Sequence, residues 1–146
     1  MKEKLKILVV AANEGGCSYY RALMPFGKLQ QHCADEVEVR FNQNPLGWNA
    51  ETGAMGEKFE DLEWADIMMT QNISNFGPQF MIELYKKAKD HGCFIHYDTD
   101  DLLTNLYKGH RLYDVYQERK LDELTKVLYY NADLVTVTQA KFAHRI

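Results

Sequence analysis

The sequence lacks several features that would place the protein in a membrane, on nucleic acid or in an oxidising compartment. None of its apolar runs approaches the roughly 20 residues of a membrane-spanning helix. Its 17 Lys and Arg are outnumbered by 21 Asp and Glu, and a net charge of −4 gives no electrostatic footprint for DNA or RNA. Its three cysteines are odd in number and form no Cys-x-x-Cys pair. We therefore expect reduced thiols and a cytoplasmic location.

The composition is that of an ordinary globular protein, with 46% hydrophobic and 26% charged residues. Its 146 residues predict a single domain that is large enough to bury a core. Short apolar runs predict five strands, and the first, fourth and fifth read as strands covered on both faces. The predicted strands are Lys6–Ala11, Val37–Phe41, Asp66–Thr70, Cys93–Tyr97 and Leu134–Thr138.

Helical patterns lie between these strands. Each is marked by a proline near its start, by apolar residues repeating about every 3.6 positions, or by a glycine at its end. They are Pro25–His32, Glu57–Trp64, Pro78–His91 and Leu112–Ala132. The alternation predicts an α/β fold, a Rossmann-like parallel sheet of about five strands in the order 3-2-1-4-5 with helices on both faces. Ligands of such sheets bind beyond the carboxyl ends of the strands, which directs attention to the loops after strands 1 and 4.

A long connection, residues 42–56, is rich in Asn and Gly and carries Trp48, which we expect to be exposed. Long loops at this position often line a binding cleft. A flexible surface insertion is the equal alternative.

The loop after strand 1 reads Asn13-Glu14-Gly15-Gly16-Cys17-Ser18-Tyr19-Tyr20-Arg21. Paired glycines allow a sharp turn and a close approach of backbone to ligand. Amide groups at a following helix start, beside Arg21, would favour an anion such as a phosphate. The spacing fits neither a Walker loop nor Gly-x-Gly-x-x-Gly, so a simple tight turn is the alternative.

The loop after strand 4 carries Asp98, Asp100 and Asp101. Three carboxylates in four residues repel one another unless cations, donors or solvent offset the charge. They suit hydrogen bonds to sugar hydroxyls or a divalent cation. Alternatively, Asp98, Thr99 or Asp100 caps a short helix over residues 101–106. We assign no metal ligand and no cofactor.

Other chemistry-bearing side chains have simpler interpretations. Cys93 and His96 match no zinc spacing and should lie on opposite faces of their strand, which predicts a core cysteine and a strand-end histidine. Cys17 would be reactive at a helix start, although no base is identifiable beside it. Tyr19 and Tyr20 offer rings for stacking, or simply pack. No catalytic residue is identifiable.

Taken in order, these segments resemble the N-terminal, acceptor-side domain of GT-B glycosyltransferases, in particular family-4-like members, including phage-encoded ones. The resemblance rests on a first strand of the Lys-Ile-Leu-Val-Val type, the elements Tyr19-Tyr20-Arg21 with Pro25, Tyr97-Asp98-Thr99-Asp100-Asp101-Leu102, and the segment 132–138. It spans essentially the whole chain.

The resemblance implies transfer of a sugar from a nucleotide diphosphate sugar to an unidentified acceptor. This domain would hold the acceptor and touch the donor phosphates through its glycine loop. The sequence stops just after opening a new strand–helix unit, so we expect the C-terminal donor domain to be absent, and a homodimer or a partner chain carrying that domain to complete the site. The substrate-binding residues predicted in this way are Gly15, Gly16, Tyr20, Arg21, Asp98, Asp100 and Asp101.

Two other functions fit parts of the sequence. Asp98-Thr99-Asp100 after an apolar strand is superficially similar to the Asp-x-Asp of haloacid dehalogenase-type phosphohydrolases, although here the strand is fourth rather than first. A non-catalytic binding or assembly module is the other alternative, with the tyrosine-bearing helix 112–132 as its dimer surface.

Overall fold

The structure of the protein is a computed structural model that describes residues 3–104 and 106–145. A five-stranded, fully parallel sheet forms its centre. The strands are β1 (Leu5–Val10), β2 (Val37–Phe41), β3 (Ile67–Gln71), β4 (Phe94–Thr99) and β5 (Leu134–Val137). The predicted α/β fold with a Rossmann-like parallel sheet is confirmed, and the strand ends differ from prediction by at most two residues.

The predicted strand order, 3-2-1-4-5, is wrong, because the sheet has the order 2-1-3-4-5. The composition of β2 and β3 explains the difference. β2 carries the charged side chains of Glu38 and Arg40 and is only partly buried, so it suits an edge. In contrast, four of the five residues of β3 are buried, and β3 therefore takes an interior place between β1 and β4. The point where the strand order reverses consequently lies between β1 and β3.

Helices cover both faces of the sheet. They are α1 (Gly16–Ser18), a π-helical segment (Tyr19–Leu23), α2 (Met24–His32), α3 (Glu60–Trp64), α4 (Pro78–Asp90), α5 (Tyr113–Glu118), α6 (Leu121–Asn131) and α7 (Ala140–Ala143). Among the described residues, no helix has the length and apolar character needed to cross a bilayer.

Two helix predictions need correction. The predicted helix 112–132 is interrupted at Lys120, whose left-handed backbone (φ 51°) cannot continue a right-handed helix. The short helix over residues 101–106, which was the alternative interpretation of the acidic loop, is not formed in its described part. Residues 101–104 and 106 form bends, turns and irregular backbone, and residue 105 lies outside the described residues.

The core has two parts, one on each face of the sheet. The larger part lies beneath α4 and α6 and includes Leu8, Phe80, Ile95 and Leu128. The smaller part lies beneath the π-helical segment and α2, and its buried members are Ile7, Val9, Ala11, Ala22 and Met69. Side chains of β1 alternate between the two parts, as expected for a strand covered on both faces.

The first part of the connection 42–56 is anchored to the larger core, whereas residues 49–56 are exposed. Trp48 is only 9% exposed, and its ring meets the Phe80 ring edge-on at 6.2 Å between centroids. The Asn44 side chain fixes the turn, because its Oδ1 accepts from Trp48 N (2.7 Å) and its Nδ2 donates to Trp48 O (3.0 Å). The expectation of an exposed Trp48 is therefore wrong.

Candidate functional site

Polar side chains from three neighbouring strands lie side by side at the carboxyl edge of the sheet. Gln71 ends β3 and is the register partner of Asp98 on β4, which is in turn the partner of Thr136 on β5. All three lie on the face covered by the π-helical segment. We refer to Gln71, Asp98 and Thr136 as the polar row.

An ion pair joins the two segments that the sequence singled out. Arg21 donates from Nε to Asp98 Oδ2 (2.6 Å) and from Nη2 to Asp98 Oδ1 (2.5 Å). Thr136 Oγ1 donates to the same Oδ1 (2.7 Å). The Asp98 side chain is 6% exposed and that of Arg21 is 25% exposed. The hydrogen bonds that Arg21 donates to Asp98 raise the pKa of Arg21, so this guanidinium is charged and paired with a carboxylate.

The π-helical segment places Arg21 over the polar row. Its wide turn, closed by Met24 N donating to Tyr19 O, buries Ala22 against the sheet and leaves Tyr19 and Tyr20 outside. The two tyrosines are 49% and 66% exposed and contact each other edge-to-face. Such π-helical turns are frequent at functional sites. The Tyr20 ring is thus accessible for stacking at the rim of the site.

The glycine loop is held in place by Asn13. Its Oδ1 accepts from Gly15 N (2.7 Å), and a Cβ at position 15 would lie 2.8 Å from the same oxygen, so a larger residue there would displace the Asn13 side chain. A Cβ at Gly16 would meet nothing within 4 Å, which shows that this glycine faces open space. The buried Ser18 hydroxyl donates to Gln71 Oε1 (2.7 Å) and thereby ties the loop to the polar row.

Sequence reasoning missed Gln71 and Asn72, which lie beside the point where the strand order reverses. Asn72 has a left-handed backbone (φ 50°), its Nδ2 donates to Asp100 Oδ1 (3.1 Å), and its N donates to Asp98 O (3.1 Å). Gln71 Nε2 and Asn72 Oδ1 are buried without a partner among the described residues. Strained backbone and unpaired polar atoms of this kind concentrate at functional sites. Two consecutive amide side chains at the end of an apolar run are a signal for these residues in the sequence. They become a site prediction only with the correct strand order, which places the end of β3 beside the reversal point.

The three carboxylates of the β4 loop have different surroundings. Asp98 is buried in its ion pair, whereas Asp100 is half-buried and Asp101 is exposed. Among the described residues, no three His, Cys, Asp or Glu side chains are grouped so as to hold a metal ion. Because Arg21 neutralises Asp98 alone, Asp100 and Asp101 leave this part of the site negative. Such a surface favours hydroxyl and amine donors over anions.

Cys17 lies against Asp100 rather than against a base. A hydrogen bond with Asp100, followed by the charge of that carboxylate, raises the pKa of the Cys17 thiol. The thiol is therefore protonated at neutral pH, which argues against the reactive cysteine that a helix start would predict.

Cys93 is the core cysteine that the sequence predicts, whereas His96 lies in the middle of β4 rather than at the end of the strand. Cys93 is 5% exposed, and its Sγ lies 3.3 Å from Leu62 O and 3.4 Å from Ala65 O. His96 lies on the face of the polar row, where its Nε2 is 2.7 Å from Thr136 Oγ1. Burial lowers the pKa of His96, which keeps the ring neutral at physiological pH.

A cleft of about 370 Å³ adjoins the acidic loop between β4 and α7. Its chemistry is mixed, because two cations lie on the α7 side and a carboxylate on the β4 side. The lining residues are Asp100, Leu102, Thr138, Gln139, Lys141, Phe142 and Arg145. Of these, the sequence predictions included Asp100 alone.

Fold and site together define an α/β protein with a Rossmann-like sheet and a polar site at its carboxyl edge. Comparison with solved structures finds a similar chain, a conserved protein from Enterococcus faecalis V583. The two share 12% identity at a TM-score of 0.50, over 99% of this chain and 100% of that chain, which is a likeness of fold. No protein-family model and no curated protein matches the sequence.

Proposed function

We propose that this chain is the acceptor-side domain of a glycosyltransferase that transfers a sugar from a nucleotide diphosphate sugar. The observation that carries the proposal is the Arg21–Asp98 ion pair. It joins, across 77 residues of sequence, the Tyr-Tyr-Arg element and the acidic element on which the resemblance to GT-B enzymes rests. Both lie at the carboxyl edge of a parallel sheet, where ligands of such folds bind.

The side chains around this edge suit a ligand rich in hydroxyl groups. Asp100 and Asp101 offer carboxylate acceptors to hydroxyl donors, and a carboxylate–hydroxyl bond is about twice as strong as a neutral one. Gln71 and Asn72 bring amide groups with unpaired atoms to the same edge. The exposed Tyr20 ring adds a flat apolar surface of the kind on which sugar rings stack.

In this proposal Arg21 positions Asp98, rather than binding the donor phosphates directly. The donor instead approaches the glycine loop at Gly16, where the open space allows close contact with the backbone. Further donor contacts come from a second domain, either in a longer form of the chain or in a partner.

Saturation-transfer NMR with a panel of methyl glycosides tests the acceptor site in the chain as it stands. We expect at least one glycoside to bind, and Asp101→Asn to weaken its binding about tenfold. A hydrogen bond to a charged group is worth about 1.5–3 kcal/mol and one to a neutral group about 0.5–1.5 kcal/mol, so the exchange costs about 1.4 kcal/mol. Asp35→Asn is the matched control, since Asp35 is an exposed carboxylate just before β2, at the opposite end of the strands. The proposal fails if no glycoside binds, or if Asp101→Asn binds as the parent does.

The contacts of Asp98 argue against a phosphohydrolase of the haloacid dehalogenase type. Both of its oxygens accept hydrogen bonds from Arg21 or Thr136, and the side chain is 6% exposed. A nucleophilic carboxylate has to reach the phosphorus atom of its substrate, which this arrangement prevents.

A non-catalytic assembly module is the second candidate, favoured by apolar side chains exposed on α6 and β5. Val127 is 50%, Tyr130 90% and Leu134 44% exposed. Sedimentation at several concentrations separates the two functions. A concentration-dependent mass without glycoside binding would favour assembly.

A further inference from the structure

We infer that the cleft between the β4 loop and α7 is a phosphate subsite, and that Lys141 and Arg145 are its ligands. The inference deepens the proposed function, on which it rests for the choice of ligand. It assigns the donor's phosphate groups to side chains that the resemblance does not include.

The first argument is the distribution of charge around the site. Arg21, the cation expected to meet a phosphate, is neutralised by Asp98 through two hydrogen bonds. Lys141 and Arg145 line the cleft, and neither forms an ion pair with a carboxylate in residues 3–104 and 106–145. Positive charge for an anion is thus available on α7, at Lys141, and just after it, at Arg145, and not on the glycine loop.

The second argument is the shape and composition of the cleft. Its volume of about 370 Å³ exceeds the roughly 300 Å³ at which small-molecule sites begin. Two cations against the single carboxylate of Asp100 leave the lining net positive. An arginine fork and a lysine ammonium are the side chains that recognise phosphate most often.

The third argument is the arrangement of polar groups relative to these cations. Thr138 and Gln139 line the same cleft and offer neutral hydrogen-bonding groups, and Asp100 joins it to the acidic loop. A ligand with phosphate at one end and hydroxyls at the other would place its charge on α7 and its hydroxyls toward Asp100. The chemical class is therefore a phosphorylated sugar, either a monophosphate or a nucleotide diphosphate.

Calorimetric titration of the intact chain with inorganic pyrophosphate and with inorganic phosphate tests the subsite. We expect saturable pyrophosphate binding that weakens with added salt, and an affinity about tenfold lower in Lys141→Gln and in Arg145→Gln. Lys58→Gln is the matched control. Lys58 is an exposed lysine that lines a different cavity, beside β2 at the other edge of the sheet. Thermal unfolding of each variant verifies that these exposed substitutions leave the fold intact.

The outcomes separate this inference from the proposed function. The subsite is refuted if the parent chain shows no saturable binding, or if Lys58→Gln loses as much affinity as the α7 variants. If a glycoside binds and pyrophosphate does not, the phosphate subsite alone is refuted. If pyrophosphate binds and no glycoside does, the acceptor site alone is refuted. A subsite is supported whichever anion binds better, and tighter pyrophosphate than phosphate identifies a diphosphate ligand.

Discussion

Replacing Arg21 with glutamine removes the cation that compensates a buried carboxylate. The Asp98 side chain is 6% exposed and would keep only the hydroxyl of Thr136 as a partner. Breaking a buried ion pair on one side costs about 3–5 kcal/mol. Because Arg21 itself is 25% exposed and water can enter where it stood, we expect the lower end, about 3 kcal/mol. For a domain of this size the melting temperature should fall by about 6–12 °C.

Urea unfolding monitored by circular dichroism measures this loss. Arg40→Gln is the control, because Arg40 is 42% exposed in surface ion pairs and should cost no more than about 1 kcal/mol. In Asp98→Asn the neutral amide needs less compensation, so the double variant with Arg21→Gln should lose less stability than the sum of the single variants. A loss below 1 kcal/mol for Arg21→Gln, or strict additivity, would refute the role of the ion pair.

Three further predictions follow from burial and charge. Trp48→Ala should lower the free energy of unfolding by about 3–5 kcal/mol in urea denaturation, whereas an exposed loop residue would change it little. The free energy of unfolding should fall as the pH drops below about 6.5, because the lowered pKa of His96 means that the unfolded chain binds a proton that the folded chain does not. In His96→Gln the melting temperature should depend less on pH over this range. Cys17 should react slowly with iodoacetamide at pH 8. Asp100→Asn should accelerate this labelling, because it removes the main cause of the raised pKa of the thiol. Equal labelling rates in the two proteins would contradict that cause.

The strands and the fold class were predictable because a strand that is buried on both faces is a short, continuous run of apolar residues in the sequence. The runs that became β1 and β4 are apolar enough to be recognised as covered strands without any knowledge of their neighbours. The same expectation was wrong for β5, which lies at an edge of the sheet and has no buried residue. Strand order depends on comparison between strands. The charges of Glu38 and Arg40 on β2 do contain that information, because charged side chains favour an edge. The composition of β2 therefore favours its place at the edge, as in the order 2-1-3-4-5.

The site was only partly predictable because its contacts depend on backbone geometry that leaves no local pattern. Arg21 meets Asp98 through a π-helical turn, and no residue type marks such a turn in the sequence. The left-handed backbone at Asn72 and Lys120 also has no sequence pattern that predicts it, although asparagine tolerates this conformation better than most residues. Burial of Trp48 likewise depends on the two hydrogen bonds of Asn44, which a local pattern of polarity does not reveal.

The polar row has a consequence for the order in which the chain acquires its structure during synthesis. Asp98 finds Arg21 77 residues upstream and Thr136 38 residues downstream, and Ser18 reaches Gln71 across 53 residues. Contacts over such separations form late, since each requires a long loop to close first. Before Thr136 leaves the ribosome, β4 is an uncovered edge and Asp98 lacks one of its partners. The carboxyl edge is thus completed only by the fifth strand, and a nascent chain carrying the first four strands has a nearly complete core but an unfinished site.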